Sequence, residues 1–218
     1  MMPGQPQPVQ LSVEVDRAEV LHYLGYPPGR RPRRGVVKVL DEALDEARTL
    51  VRPAGVFRRL PGERFREVGL PGQRGPDLVI GLVTVGTGIE ERVAVATRAG
   101  GISRALVLDA AGSAAAEEAA DRLCAHILGP AYGRPVLRAG CRVSPGYGEW
   151  PLTAQTDLFR LLPHDQIGVT LLPSLMMLPT KSVSFAMWIG EDRMPIRGLS
   201  GCGHCLLERC DYRRGAAG

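Results

Sequence analysis

The segment Leu78 to Val85, a largely apolar run rich in β-branched residues, most constrains the fold of this 218-residue chain. Such a run is typical of a strand that is buried on both faces. A strand buried on both faces needs other elements packed against it. The segment Val36 to Val51 is one such element, because its apolar residues recur at steps of three and four, as in an amphipathic helix. We therefore expect helices packed against a central sheet.

Further elements are predicted from caps, breakers and periodicity. Asp16, with Glu19 three residues later, forms a capping-box pattern that opens a short helix ending at Leu24. The remaining predicted elements are helices at 89–98, 113–128 (capped by Ser113) and 153–162, and strands at 105–108, 136–143 and 182–189. Because helices and strands are interleaved without strict alternation, the sequence predicts an α+β fold with a mixed sheet.

The composition is that of a soluble globular protein, with 44% hydrophobic and 23% charged residues and a net charge of +4. Residues 1–10 lack the pattern of a signal peptide, and no stretch is apolar for the roughly 18 residues of a membrane span. The five cysteines are few and unevenly spread, which favours a reducing, cytoplasmic location. Lys38 and Lys181 are the only lysines among 27 basic residues, a bias that GC-rich codon usage explains without a nucleic-acid partner.

Several polar motifs are assigned structural roles. Gly86-Thr87-Gly88 lacks the third glycine of a dinucleotide fingerprint and is interpreted as a tight turn. Glu117 and Glu118 are interpreted as charges at the start of a helix, and Cys124 as a small buried hydrophobic residue.

The C-terminal cysteines form a possible metal site. Cys202, Cys205 and Cys210 lie within nine residues and could bind one metal ion such as zinc, with His204 or Cys141 as a fourth ligand. The three cysteines are also compatible with an iron–sulfur cluster. Free or redox-active thiols are the default interpretation, because a second well-spaced pair is missing.

The segment Arg142 to Gly148 (RVSPGYG) is the strongest candidate binding site. A strand ends at Arg142, and the Pro-Gly pair after Ser144 imposes an irregular backbone that a ligand can approach closely. Arginine can hold a carboxylate through two hydrogen bonds, and Tyr147 offers an aromatic face and a hydroxyl. A strand-terminating turn with a surface tyrosine is the alternative.

A second block follows about thirty residues later, Ser174 to Ser184 (SLMMLPTKSVS). The two blocks, in this order and separation, resemble the signatures of the activation domain of cobalamin-dependent methionine synthase, and the segment 109–128 resembles that family's central helix. The similarity spans roughly residues 11 to 190. It implies a largely antiparallel, twisted sheet with flanking helices.

The resemblance also implies site residues. Arg142 would hold the carboxylate of S-adenosylmethionine (AdoMet), and the backbone of Ser144 would hydrogen-bond the ligand. Tyr147 and Gly148 would face the cobalamin of a partner, and Asp16 would contact the ligand's ammonium group.

The implied organisation is a flexible tail (1–10), an AdoMet-binding activation domain (11–195) and a Cys-rich tail (196–218). The expected function is an activation subunit, inactive alone, that presents the methyl group for reductive remethylation of cob(II)alamin. Its expected partners are a cobalamin-binding methionine synthase without such a domain and a flavoprotein or ferredoxin-type electron donor. The arginine loop at 30–34 is expected to help dock an acidic partner.

Two other functions remain open. The chain could activate another corrinoid methyltransferase pathway, with a metal or redox-active Cys tail. A metal-tailed nucleic-acid-binding module is the third interpretation, which the lack of interleaved aromatic residues disfavours.

Overall fold

The protein is an α+β fold in which one antiparallel sheet separates two hydrophobic cores. The computed structural model describes residues 6–27, 29–71, 77–129, 138–139 and 142–190. The sheet has the strand order β1-β2-β3-β7-β4, and a separate hairpin pairs β5 with β6. The strands are β1 (Gln7–Gln10), β2 (Ala54–Pro61), β3 (Asp77–Thr84), β4 (Arg138–Ala139), β5 (Thr170–Leu171), β6 (Met177–Leu178) and β7 (Ser182–Gly190). The helices are α1 (Arg17–Tyr23), α2 (Arg34–Leu50), α3 (Gly88–Arg98), α4 (Ile102–Leu128) and α5 (Gln155–Leu161), with 3-10 turns at Gly62–Val68, Leu152–Ala154 and His164–Ile167.

Along the central strands β3 and β7, successive side chains point to opposite faces of the sheet, and each face contributes to a different hydrophobic core. Val79, Val83 and Phe185 point to the face covered by α1, α2 and α4, whereas Leu78 and Ile80 point to the face covered by α5 and the 3-10 turns. Both faces of β3 are buried, as the apolar run predicts. The predicted α+β class and flanking helices are confirmed, and every described strand pairing is antiparallel.

Glu46 of α2 connects that helix to α3 and α4. Its carboxylate accepts hydrogen bonds from Arg92 of α3 and, at 2.7 Å, from Nη2 of Arg104 of α4. Burial alone would raise the pKa of this carboxyl group, but the two arginines outweigh that effect and hold the pKa below its ordinary value. The ion pairs therefore fix α2 against α3 and α4.

The N-terminal strand corrects one prediction. Residues 7–10, predicted as part of a flexible tail, form β1 at the edge of the sheet, paired with β2. The amide of Leu11 and the side chain of Gln10 both donate to the carbonyl of Pro53, at 3.2 and 2.8 Å. Pro8 is tolerated because an edge strand leaves one row of backbone groups unpaired.

Helix α4 corrects a second prediction. The segment 105–108, predicted as a strand, and Ser113, predicted as a helix cap, both lie inside this single 27-residue helix. Its alanine-rich sequence has high helix propensity, and Ser113 donates its hydroxyl to the carbonyl of Asp109 at 3.2 Å, within the helix. Of the strand predicted at 136–143, the described residues form β4 and a bridge between Val143 and Ala186.

No helix in the described part of the chain combines the length and the apolarity that crossing a bilayer requires.

Candidate functional site

The turn after Val143 is fixed by backbone hydrogen bonds on both sides. Val143 and Ala186 of β7 exchange two hydrogen bonds of 2.9 and 2.8 Å. The chain then reverses through Gly146, whose φ of +92° a residue with a side chain would adopt only with strain, and the Gly146 amide donates to the carbonyl of Trp150 at 2.8 Å. The predicted irregular turn is therefore present, and it follows an isolated bridge at Val143.

Trp150 anchors this turn to the second core. Its side chain is buried, and its indole N–H donates to the carbonyl of Val68 at 2.9 Å. Tyr147, at the tip, is 68% exposed, and Gly148 beside it is also exposed. The turn thus presents an aromatic side chain to solvent from a rigid base.

Arg142, the predicted carboxylate ligand, lies against helix α4. Its Nη2 is 2.6 Å from Oε2 of Glu117 and 3.2 Å from Oδ1 of Asp121, and the side chain is only 17% exposed. Its Nη1 is buried and has no hydrogen-bond partner among the described residues. One nitrogen of the guanidinium is therefore held by the protein, while the other retains its capacity to donate.

Glu117 and Glu118 are not helix-start charges, because α4 begins at Ile102 and both lie well inside it. Glu117 instead pairs with Arg142, and Glu118 pairs with Arg122 at 2.6 Å. The i, i+4 spacing of Glu117 and Asp121 places both carboxylates on the helix face that meets Arg142. The sequence shows this i, i+4 spacing, but it indicates a shared helix face only if α4 is recognised as one continuous helix.

Asp16 lies at the edge of an open cavity beside this pair. Its Oδ1 accepts a 2.9 Å hydrogen bond from the amide of Glu19 and caps α1, as the sequence predicts. The cavity, which we call the acidic groove, has a volume of about 210 Å³ and is lined by Glu14, Asp16, Glu19, Ala114, Glu118 and Asp121. Asp121 of α4 therefore lines the groove together with Asp16 and also contacts Arg142, which itself lies outside the groove lining.

The carboxylates of the acidic groove are not arranged as a metal site. Within the described residues, no three His, Cys, Asp or Glu side chains converge closely enough to hold a metal ion. Two of the five groove carboxylates, Glu118 and Asp121, are paired with Arg122 and Arg142. The predicted metal ligands Cys202, Cys205 and Cys210 lie outside the described residues.

The second block, Ser174 to Ser184, attaches the sheet to the helices. Lys181 forms a 2.7 Å ion pair with Asp109 and donates to the hydroxyl of Ser113 at 3.0 Å. Glu90 of α3 accepts hydrogen bonds from the Thr180 hydroxyl and the Lys181 amide, at 2.6 and 2.9 Å. These contacts fix β7, and hence Arg142 beside it, relative to α3 and α4.

Gly86-Thr87-Gly88 is a tight turn between β3 and α3, as predicted. A Cβ on Gly88 would lie 2.8 Å from the carbonyl oxygen of Leu50, so protein already fills the space beside the turn.

Comparison with known proteins identifies the fold. The sequence matches no family model and no curated protein. Among solved structures, the crystal structure of the MetH reactivation domain bound to AdoHcy resembles this chain with a TM-score of 0.64 and 17% sequence identity. The match covers 89% of this chain and 81% of that one. The resemblance indicated by the two sequence blocks is thus confirmed for the fold.

Proposed function

We propose that this protein binds AdoMet in the acidic groove and serves as a separate activation subunit for a cobalamin-dependent methionine synthase. The observation that carries the proposal is that Asp121 lines the groove with Asp16 and also pairs with Arg142. The solved structure of similar fold contains AdoHcy, the product that AdoMet leaves after methyl transfer.

The charges of AdoMet match the charges of the site. The ligand carries an ammonium group, a carboxylate and a sulfonium, and so has a net charge of +1. The carboxylates of Asp16 and its neighbours suit the two cationic groups, and the buried Nη1 of Arg142 suits the carboxylate. Because AdoHcy lacks the sulfonium charge, the groove should favour AdoMet over AdoHcy.

Tyr147 and Gly148 provide the surface that faces the corrinoid partner. The exposed ring of Tyr147 can pack against a planar macrocycle, and Gly148 allows close approach. Bound AdoMet supplies a methyl group, and reductive methylation of the partner's cofactor consumes that group together with one electron from a flavoprotein or ferredoxin-type donor.

The arginine loop contributes to partner docking in this proposal. Arg30, Arg31, Arg33 and Arg34 are exposed, and none makes an ion pair with a described residue. They adjoin an apolar groove of about 330 Å³ at the other end of α1, lined by Leu24, Tyr26, Gly35, Val36, Val39, Ser103, Leu106 and Val107. Basic charge beside an apolar surface fits an acidic protein partner.

Calorimetric titration with three ligands tests the binding site. We expect AdoMet to bind more tightly than AdoHcy, and Arg142→Ala to weaken AdoMet about tenfold or more, since a charge-assisted hydrogen bond is worth roughly 1.5–3 kcal/mol. Decarboxylated AdoMet lacks the group that Arg142 holds, so its affinity should not fall in that variant.

Asp16→Asn provides the complementary test. Asparagine caps a helix as well as aspartate, so α1 should remain intact while the charge is lost. We expect weaker binding of both AdoMet and its decarboxylated analogue, whereas Asp45→Asn, on an exposed side chain far along α2, should bind like the wild type. A wild-type protein that binds neither AdoMet nor AdoHcy would refute the proposed function.

A further inference from the structure

Gly81 of β3 leaves room for an aromatic ring. It is paired across the sheet with Phe185 of β7, and a Cβ at position 81 would lie only 2.7 and 3.0 Å from Cε1 and Cε2 of that ring. No real side chain tolerates such distances, so any residue other than glycine would displace the ring. Because glycine has no side chain at position 81, the ring of Phe185 can occupy this space.

The same ring lies beneath the guanidinium of Arg142. The Cζ atom of Arg142 is 5.7 Å from the ring centroid, within the range of a cation–π interaction. The bridge between Val143 and Ala186 explains this position: Arg142 precedes one bridge residue and Phe185 precedes the other, so both side chains point to the face that α4 covers. Phe185 is fully buried there.

Arg142 is thus enclosed by two carboxylates and an aromatic ring. Glu117 and Asp121 hold Nη2 through charge, while Phe185 contacts the guanidinium through its ring. Charge alone leaves a long arginine side chain free to exchange rotamers, whereas a flat surface restricts the plane of the guanidinium. The ring therefore decides which orientation Nη1, the nitrogen without a partner among the described residues, can adopt.

We propose that Phe185 is a positioning residue for Arg142 in recognition of the AdoMet carboxylate, and that Gly81 is required because it admits the ring. This inference rests on the proposed function for the identity of the ligand. It assigns a binding role to two core residues of the sheet that do not themselves touch the ligand.

The variant Phe185→Leu removes the ring and keeps an apolar core residue. We expect AdoMet to bind about tenfold more weakly, while decarboxylated AdoMet binds as it does to the wild type. A purely structural role would weaken both ligands equally, and that outcome would overturn the proposal. Unchanged AdoMet affinity would overturn it as well.

Two controls separate positioning from stability. Leu82→Ala removes a buried side chain from the opposite face of β3, so it should lower the urea midpoint without changing the ratio of the two affinities. Gly81→Ala displaces the ring instead of deleting it, and it should reproduce the selective loss of AdoMet affinity even if Phe185→Leu does not fold.

A double-mutant cycle identifies Arg142 as the group through which Phe185 acts. In an Arg142→Ala background, Phe185→Leu should cause no further loss of AdoMet affinity. A full, additive loss would show that the ring acts elsewhere. If the wild type binds AdoMet but the cycle is additive, the positioning role fails while the proposed function stands.

Discussion

Cys124 lies on α4 near Arg142, partly buried against the helical core. Burial raises the pKa of its thiol to about 11, which the nearby positive charge of Arg142 opposes and the negative charge of Asp121 reinforces. Desolvation therefore outweighs the adjacent guanidinium, and the thiol stays protonated at neutral pH. The interpretation of Cys124 as a small apolar residue agrees with this environment.

Cys124 should react slowly with iodoacetamide while the protein is folded. Only the thiolate reacts, and a thiol with an unperturbed pKa near 8.5 has roughly two-hundredfold more thiolate at pH 8 than one titrating near 11. The measurement uses a variant in which Cys141, Cys202, Cys205 and Cys210 are replaced by serine. Its alkylation rate should rise steadily from pH 8 to pH 11.

The unfolded chain provides the internal control. In urea, the thiol regains its ordinary pKa, so the rate at pH 8 should increase about two-hundredfold. Because the folded pKa is raised, the stability that this group contributes is present below pH 8.5 and is lost as the pH rises toward 11. Fast alkylation of the folded protein at pH 7 would contradict the burial of Cys124.

At the candidate site, the sequence indicates individual residues but not the residues with which they form contacts. Arg142 and Tyr147 are predicted from a short motif because proline and glycine determine the local backbone. The pairing of Arg142 with Glu117 depends on how a helix and a strand pack, since 25 positions separate the two residues. Local patterns contain no information about such a contact.

Among the larger elements, α4 depends on close packing at Gly112. A Cβ at this position would lie 3.0 Å from Cγ2 of Ile89 and 3.1 Å from Cγ and Cε of Lys181. Ile89 is fully buried, and Lys181 is held by its ion pair with Asp109, so neither neighbour can move freely. Glycine is therefore required at this position for close packing inside the helix.

Gly112→Ala should destabilise the protein by about 1 kcal/mol. Alanine gains up to roughly 1 kcal/mol of helix propensity, but overpacking a tight contact typically costs 1–3 kcal/mol. Gly35→Ala in α2 is the matched control, since nothing lies within 4 Å of its Cβ position, and it should stabilise the protein. Urea unfolding midpoints of the two variants should move in opposite directions; a shared increase would refute the tight contact.

Most elements of the fold are predicted from the sequence, and the exceptions have physical causes. Periodicity and caps identify α1, α2, α3 and β7 because each has a clear apolar pattern. The edge strand β1 is missed because its residues are polar and include proline, and its pairing with β2 is a long-range contact. The acidic groove is missed for the same reason, because α1 and α4 meet only in the folded chain.

On the scale of the whole molecule, charge is distributed unevenly around α1. The acidic groove lies at its N-terminal end, and the apolar groove beside the arginine loop lies at its C-terminal end. Helix α2 begins at Arg34 with no acidic residue in its first turn, so its dipole adds to the positive potential of the loop. Ile102 and Leu106 of α4 are 53% and 60% exposed at the same end.

This surface should bind the cobalamin-loaded partner through both charge and apolar contact. Replacing Arg30, Arg31 and Arg33 by glutamine should weaken association about tenfold or more at low salt and reduce its salt dependence. Leu106→Gln should weaken association while leaving the salt dependence unchanged, because it removes only apolar contact. Calorimetry or surface plasmon resonance with a methionine synthase lacking its own activation domain measures both effects.

A charge-matched control distinguishes docking from a general effect of net charge. Arg48, Arg66 and Arg160 are exposed and lie outside the apolar groove, so their replacement by glutamine should leave partner affinity nearly unchanged. AdoMet affinity should be the same in all these variants, because the acidic groove is separate. If both triple variants weakened partner binding equally, the arginine loop would not be a specific docking surface. If the wild type bound duplex DNA more tightly than the protein partner at equal ionic strength, the arginines would be assigned to nucleic-acid binding.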